Sequence, residues 1–261
     1  MERTDPVEGA ENSRRIMDLV LAAGQILLEN GAEVFRVEQT MRIMAESFAL
    51  QDFHVYVLTN GIFASALDGG ISEVRNVPHR TVHLGRVDAV NTLSRRVAAG
   101  QLTLDEAEVL LRQAGRLAPP SDRGRRLACA GGAFCFAVMF GGNLLDGAIA
   151  ALSGYVLTCY LIWCDRRHTH SIFQKMTGAA LVSVCCLVLG AIVGGSADHA
   201  TIGALMILTP GVAFTMGIRD FANSDYLSGS IRMMDALLVG ASIAGGAGVV
   251  MALYSSWMGV L

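Results

Sequence analysis

After Arg126 the chain almost stops using charge. Of 43 charged side chains (20 Lys and Arg, 23 Asp and Glu), 32 lie in residues 1–126 and 11 in residues 127–261, and the second stretch contains no Glu. Soluble domains carry about 25% charged residues; this chain carries 16%, and the deficit falls in its second half. That split excludes a single soluble globule, a disordered chain and a nucleic-acid binder, which needs a basic patch. It predicts a small α+β cytoplasmic domain over 1–118, a linker over 119–126 and an α-helical polytopic membrane domain over 127–261.

Five apolar runs follow the linker, at 127–142, 147–163, 176–195, 200–218 and 233–257, the fourth interrupted by Thr209-Pro210-Gly211. Runs of roughly 17–25 residues suit a bilayer core of about 30 Å, so about five transmembrane helices are expected. The cations choose the orientation. Arg123, Arg125 and Arg126 precede the first run, Arg166, Arg167 and Lys175 follow the second, and Arg219 and Arg232 bound the polar stretch after the fourth. The turns expected at Asn143–Asp146 and Ser196–His199 carry none. The N-terminus is therefore expected in the cytoplasm and the C-terminus outside. Residues 1–15 hold Glu2, Asp5, Glu8 and Glu11 but no apolar core, so no signal peptide is expected. The six cysteines all follow residue 126, with no C-x-x-C, and read as small buried hydrophobes. Gly190-x-x-x-Gly194 and Gly245-Gly246-Ala247-Gly248 have the spacing of tight helix packing, or of a sliding or pore-lining surface.

In the first half, Ile16, Leu19, Val20, Ala23, Ile26 and Leu27 mark a helix over 14–29, stopped by Asn30-Gly31. Val34, Val37, Met41, Met44, Ala45 and Phe48 mark a second. Strands follow at 53–58, 62–67 and 71–77, joined by Thr59-Asn60-Gly61 and Asp68-Gly69-Gly70. Two further helices complete an ααβββαα domain, the last opened by a capping box at Thr103 and Glu106. No P-loop, G-x-S-x-G or H-E-x-x-H is present, and His54, His79 and His83 are scattered, so no catalytic residue is assigned. His168-x-His170 supplies only two ligands, and no metal or cofactor is assigned. Glu33, Arg36 and Glu38 read either as a solvated face with an i,i+3 ion pair or as a contact with a partner subunit or the membrane domain's loops.

Two features of the apolar half carry chemistry. Pro210-Gly211 falls inside the fourth run, where proline removes a donor, frees the carbonyl of Met206 and biases Thr209 away from helix. Broken helices aim backbone groups at solutes in transporters, and packing kinks break helices too. The second feature is the segment holding Arg219, Asp220, Asn223, Asp225, Tyr226, Arg232 and Asp235. Asp235 enters an apolar run and needs a partner or water, which Arg232 or Arg219 could supply; those arginines could equally hold a substrate carboxylate. Solvated loops and helix caps are the plainer alternative. Asn143 and Asp146 could form an outer counterpart, or only a turn.

Three stretches carry a family resemblance: LLENGAEVFRVEQTMRIMAESFAL (27–50), RTVHLGRVDAVNTLSRRVAAGQLTLDEAEVLL (80–111) and LTPGVAFTMGIRDFANSDYLSGSIRMMDALL (208–238). Together they resemble the threonine/serine exporter family, with Pro210-Gly211, Arg219-Asp220, Asp225, Gly229 and Arg232 in register. Single-chain members carry about twice as many spans, so the chain resembles the large subunit of the split, two-subunit type. The resemblance implies a secondary transporter in the bacterial inner membrane, exporting threonine, serine or a succinate-like dicarboxylate. It also implies a small integral-membrane partner subunit, an oligomer, and no enzyme activity. The residues expected to serve substrate or gating are Pro210, Gly211, Arg219, Asp220, Asp225, Arg232 and Asp235, with Asn143 and Asp146 on the outer side. The alternative is a non-transporting membrane sensor or assembly protein whose cytoplasmic domain is the output.

Overall fold

The computed structural model describes residues 6–67, 70–77, 81–167 and 169–258. They form two units: one holds the chain up to Pro119 together with Met216–Ile231, the other Pro120–Thr215 and the chain from Arg232 onward.

The first unit is built around α1 (Pro6–Glu29). The helix starts eight residues before the apolar spacing does, at a proline, which suits a first helical turn. Its buried face is wider than a stripe: Met17, Val20, Leu21 and Ala23 are wholly buried, because neighbours pack on several sides of it. Those neighbours are α2 (Val34–Ser47), α3 (Leu84–Ala98), α4 (Leu104–Gly115) and two strands. α1 stops where expected. The Asn30 side chain donates to the Ile26 carbonyl at 2.7 Å, and Gly31 takes φ +90°, which a side chain would oppose.

Strands β1 (His54–Leu58), β2 (Gly61–Ala66) and β3 (Ile71–Asn76) form an antiparallel meander. Leu58 pairs with Gly61, so the loop is Thr59-Asn60 and Gly61 already belongs to β2. Neither loop residue takes a positive φ, so this hairpin does not use the turn that makes Asn-Gly a hairpin signal. Asp68 and Gly69 of the expected second turn, and His79, lie outside the described residues. Val55, Val57, Ile62, Ala64 and Ala66 join the helical core, whereas Tyr56, Phe63 and Val74 are exposed on the other face. The capping box of α4 forms as read: Glu106 accepts from the Thr103 backbone N–H and hydroxyl, both at 2.9 Å.

The second unit contains α5 (Asp122–Met139), α6 (Leu144–Arg166), α7 (Ser171–Val193), α8 (Ala197–Leu205) and most of α10 (Tyr226–Met258); α9 (Gly211–Ala222) straddles the two units. Its core is rich in small residues: Ala133, Ala137, Ala150, Ala179, Ala200 and Ala204 around Leu157 and Val182. Small side chains let helix backbones approach closely. A Cβ on Gly203 would lie 2.5 Å from the Ala137 nitrogen, and one on Gly246 would strike the Met176 carbonyl. Gly190 packs beside Ala197, but Gly194 instead ends α7 at φ +82°. Around Gly240, Gly245 and Gly248 nothing lies within 4 Å of such a Cβ.

The expected spans resolve unevenly. Among the described residues three helices are long and apolar enough to cross a membrane: α6, α7 and the Tyr226–Trp257 part of α10. The first run belongs to α5, which begins inside the expected linker with Asp122, Arg123, Arg125 and Arg126 in its opening turns. The fourth run is two helices of 9 and 12 residues. The polar stretch 219–232 is mostly helical, leaving only residues 223–225 as a corner between α9 and α10. Ser196–His199 is likewise the start of α8 rather than a free turn. Of the cysteines only Cys164 and Cys186 are buried, and Cys135 is exposed. His168 lies outside the described residues, and His170 precedes the first turn of α7.

Candidate functional site

Asn143 and Asp146 open α6 as a reciprocal capping box: Asp146 N–H donates to Asn143 Oδ1 at 2.9 Å, and Asn143 N–H to Asp146 Oδ2 at 3.0 Å. The second Asp146 oxygen accepts the backbone N–H of Ser196, the residue before α8, at 2.6 Å. Asp146 is only 2% exposed. One carboxylate thus serves the starts of two helices, where unpaired amides and the helix dipole favour an anion. His199 Nδ1 lies 3.1 Å from Ser196 Oγ, extending the polar cluster. Gly142 and Gly195 pack against it, with no room for a Cβ beside the Ala137 carbonyl or Ile149. The geometry is more than the simple turn that Asn143 and Asp146 suggest in sequence.

The break before Pro210 is real, but its chemistry differs from the expectation. α8 ends at Leu205, and Pro210 precedes α9, where its carbonyl accepts the Phe214 N–H at 3.0 Å. The Met206 carbonyl is not freed: Thr209 N–H donates to it at 3.2 Å. Thr209 Oγ1 turns back to the Leu205 carbonyl at 3.4 Å. The tight turn over residues 206–209 therefore satisfies the Met206 carbonyl locally, and a Cβ on Gly211 would meet open space.

Arg219, Asp220 and Asp225 lie in the first unit. The Arg219 guanidinium pairs with Glu33, whose side chain is 13% exposed and which also pairs with Arg36 at 3.5 Å. Glu33 thus makes both the i,i+3 pair and a contact with the distant segment 216–231, which belongs to the same unit. Asp220 is buried, and its backbone carbonyl accepts the Asp225 N–H at 2.9 Å. Asp225 caps α10 through Ser228 N–H at 3.2 Å. Gly229 makes the corner possible, since a Cβ there would lie 2.7 Å from the Phe221 ring.

Arg232 and Asp235 lie in the second unit. Arg232 is buried, but Asp235 is exposed and makes no ion pair among the described residues. The expected pairing of Asp235 with Arg232 or Arg219 is therefore absent. Arg219 is engaged by Glu33, and Asp235 stands on the open side of α10 with Met234, Leu237 and Leu238. Within the second unit the candidates fall at a helix-start cluster around Asp146 and at a helix break before Pro210, and within the first unit at the corner 219–225. Sequence reasoning missed Ser196, whose role is a backbone N–H and so leaves no side-chain signal.

A family model described as "Putative threonine/serine exporter" matches residues 18–254, a range that includes every candidate residue. The chain is also similar to a "Probable threonine/serine exporter" of Mycobacterium tuberculosis (strain ATCC 25618 / H37Rv), with 23% identity over 240 residues, covering 90% of this chain and 45% of that relative. The chain thus spans less than half the length of the curated relative it matches. No solved structure matches it.

Proposed function

The chain belongs to the threonine/serine exporter family, and from that premise we propose that it is part of a secondary transporter exporting small carboxylate-bearing metabolites across the inner membrane. Threonine and serine are its first candidate substrates, and succinate-like dicarboxylates the second. A small integral-membrane partner supplies further spans. The observation that carries the reading is the division of the fourth apolar run into α8 and α9 around Thr209-Pro210, in a family of exporters. Two short helices meeting within a membrane protein are how transporters bring backbone groups to a solute.

Charge placement supports the orientation. Arg125 pairs with Asp165 at 3.0 Å and Arg166 with Asp122 at 2.7 Å, so the start of α5 and the end of α6 form one basic end. The opposite end of α6, at Asn143–Asp146, has no cation. The basic end faces the cytoplasm by the positive-inside rule. Pro210, Gly211, Arg232 and Asp235 line or gate the path, with Arg219, Asp220 and Asp225 on the cytoplasmic side and Asn143 and Asp146 on the outer side.

The test is reconstitution into proteoliposomes with and without a small polytopic partner, loaded with threonine, serine or succinate. Gradient-dependent efflux of at least one solute is expected. Asp235→Asn and Arg232→Gln should cut that flux while the protein still inserts. Absence of flux with every partner and solute overturns the proposal, and undiminished flux in both variants removes those two residues from the path.

A further inference from the structure

A cleft of about 290 Å³ opens in the first unit between α2, β1 and the α9–α10 corner. None of the transport candidates except Asp225 lines it. Its charged groups are Glu38, Arg42 and Asp225, its amide is Asn223, and Phe35 and Tyr56 border it. Ligand sites hold a few convergent polar groups within apolar walls, and this volume lies just below the usual range of about 300–1,000 Å³, in keeping with a small ligand.

Glu38 is fixed, because its Oε1 accepts the Val57 backbone N–H at 2.9 Å. Its other oxygen forms an i,i+4 ion pair with an Arg42 nitrogen at 3.6 Å, too long for a hydrogen bond. The Arg42 side chain is 55% exposed, so its fork is available to grip a carboxylate with two bonds. Across the cleft, Asp225 uses Oδ1 to cap α10. Ser224, beside it, takes φ +64°. Non-glycine residues rarely adopt that conformation, and such strain clusters at ligand sites. Phe35 and Tyr56 are 53% and 56% exposed, large aromatic surface that neither unit's core uses.

One cation set among two carboxylates suits a molecule bearing an anionic and a cationic group on the same carbon. A dicarboxylate would meet two like charges for every favourable one, which disfavours it. We propose that this cleft binds a free α-amino acid. Arg42 receives its carboxylate, Glu38 and Asp225 receive its ammonium group, and the Asn223 amide reaches its side chain. The zwitterion class follows from the cleft's charges, whereas the choice of threonine and serine rests on the exporter reading. The cleft is then a cytoplasmic recognition site that selects amino acid over dicarboxylate.

The experiment is equilibrium binding of L-threonine, L-serine and succinate to the purified full chain in detergent, with flux measured separately in proteoliposomes. Saturable threonine or serine binding is expected, with succinate at least tenfold weaker. Arg42→Gln and Asp225→Asn should each weaken amino-acid binding about tenfold, the loss expected when one charge-assisted contact goes. Asn retains the capping oxygen, so Asp225→Asn keeps the corner folded. Arg112→Gln, on the exposed surface of α4, should bind like the parent. Absence of saturable amino-acid binding, binding indifferent to both cleft variants, or succinate binding as tightly as threonine overturns the inference. Flux without cleft-dependent binding removes the cleft and leaves the exporter standing; cleft-dependent binding without flux does the reverse.

Discussion

At the scale of single residues, the structure places much weight on carboxylates that accept backbone amides. Asp146 accepts Asn143 N–H and Ser196 N–H while buried. Removing it strands two donors away from water, and each unpaired donor costs about 1–3 kcal/mol. Asp146→Ala is therefore expected to lower unfolding free energy by about 3 kcal/mol, and Asp146→Asn, which keeps one acceptor, by less. Denaturation in detergent micelles checks this, and equal stability of the two variants would refute it. Glu106 is the exposed counterpart. The Thr103 backbone N–H and hydroxyl hold its carboxyl below the usual glutamate value. A carboxyl with a depressed folded value stabilises fully above its unfolded value, near about 4.3. That stabilisation is lost as pH falls through the lower folded value. Thr103→Ala should cost about 1 kcal/mol at neutral pH and flatten the acid limb of the stability profile. Both capping boxes were legible in residue spacing because a cap is local. The Asp146–Ser196 bond joins residues 50 apart through a backbone atom, and no spacing rule reaches it.

At the scale of elements, legibility followed whether a helix has one wet face. α2 and α4 bury one side, so periodicity located them within a residue or two. α6 and α7 are apolar all round, and only length and flanking charge marked them. Within 200–218 nothing but Pro210 signalled a break, and apolar composition could not show that α8 stops at Leu205. The register of the first hairpin was equally hidden, because Asn-Gly fits either of two adjacent loop placements. Close helix crossings give the sharpest test of the second unit. Gly203→Ala would force a methyl into the Ala137 backbone, and Gly246→Ala into that of Met176. Each should destabilise by about 1–3 kcal/mol, as overpacking does. Gly240→Ala and Gly248→Ala meet open space and should be neutral. Melting temperatures of the four variants decide it, and a neutral Gly203→Ala would show that α5 and α8 do not cross there.

At the scale of the whole molecule, the segment 216–231 belongs with the N-terminal unit although nearly a hundred residues separate them in sequence. The Arg219–Glu33 pair spans 186 positions. Charge reversal tests it: Arg219→Glu and Glu33→Arg should each loosen the contact, and the double variant should restore it. The coupling should stay below about 1 kcal/mol, because Arg219 is half-exposed. A double-mutant cycle with no coupling would dissolve the link. One consequence concerns α10, whose 33 residues make a rod of about 50 Å at 1.5 Å per residue. Hydrocarbon is only about 30 Å deep, and helices tilt by at most about 40°. Part of the rod must therefore stand in the headgroups. Counting back from Trp257, about 20 residues fill the hydrocarbon, which brings its boundary to within a turn of Asp235. A small change in bilayer thickness would draw that carboxylate under the lipid or lift it into water. The depth of that carboxylate is therefore expected to follow the acyl-chain length of the host membrane, which accessibility labelling of an Asp235→Cys variant in vesicles of differing chain length would check.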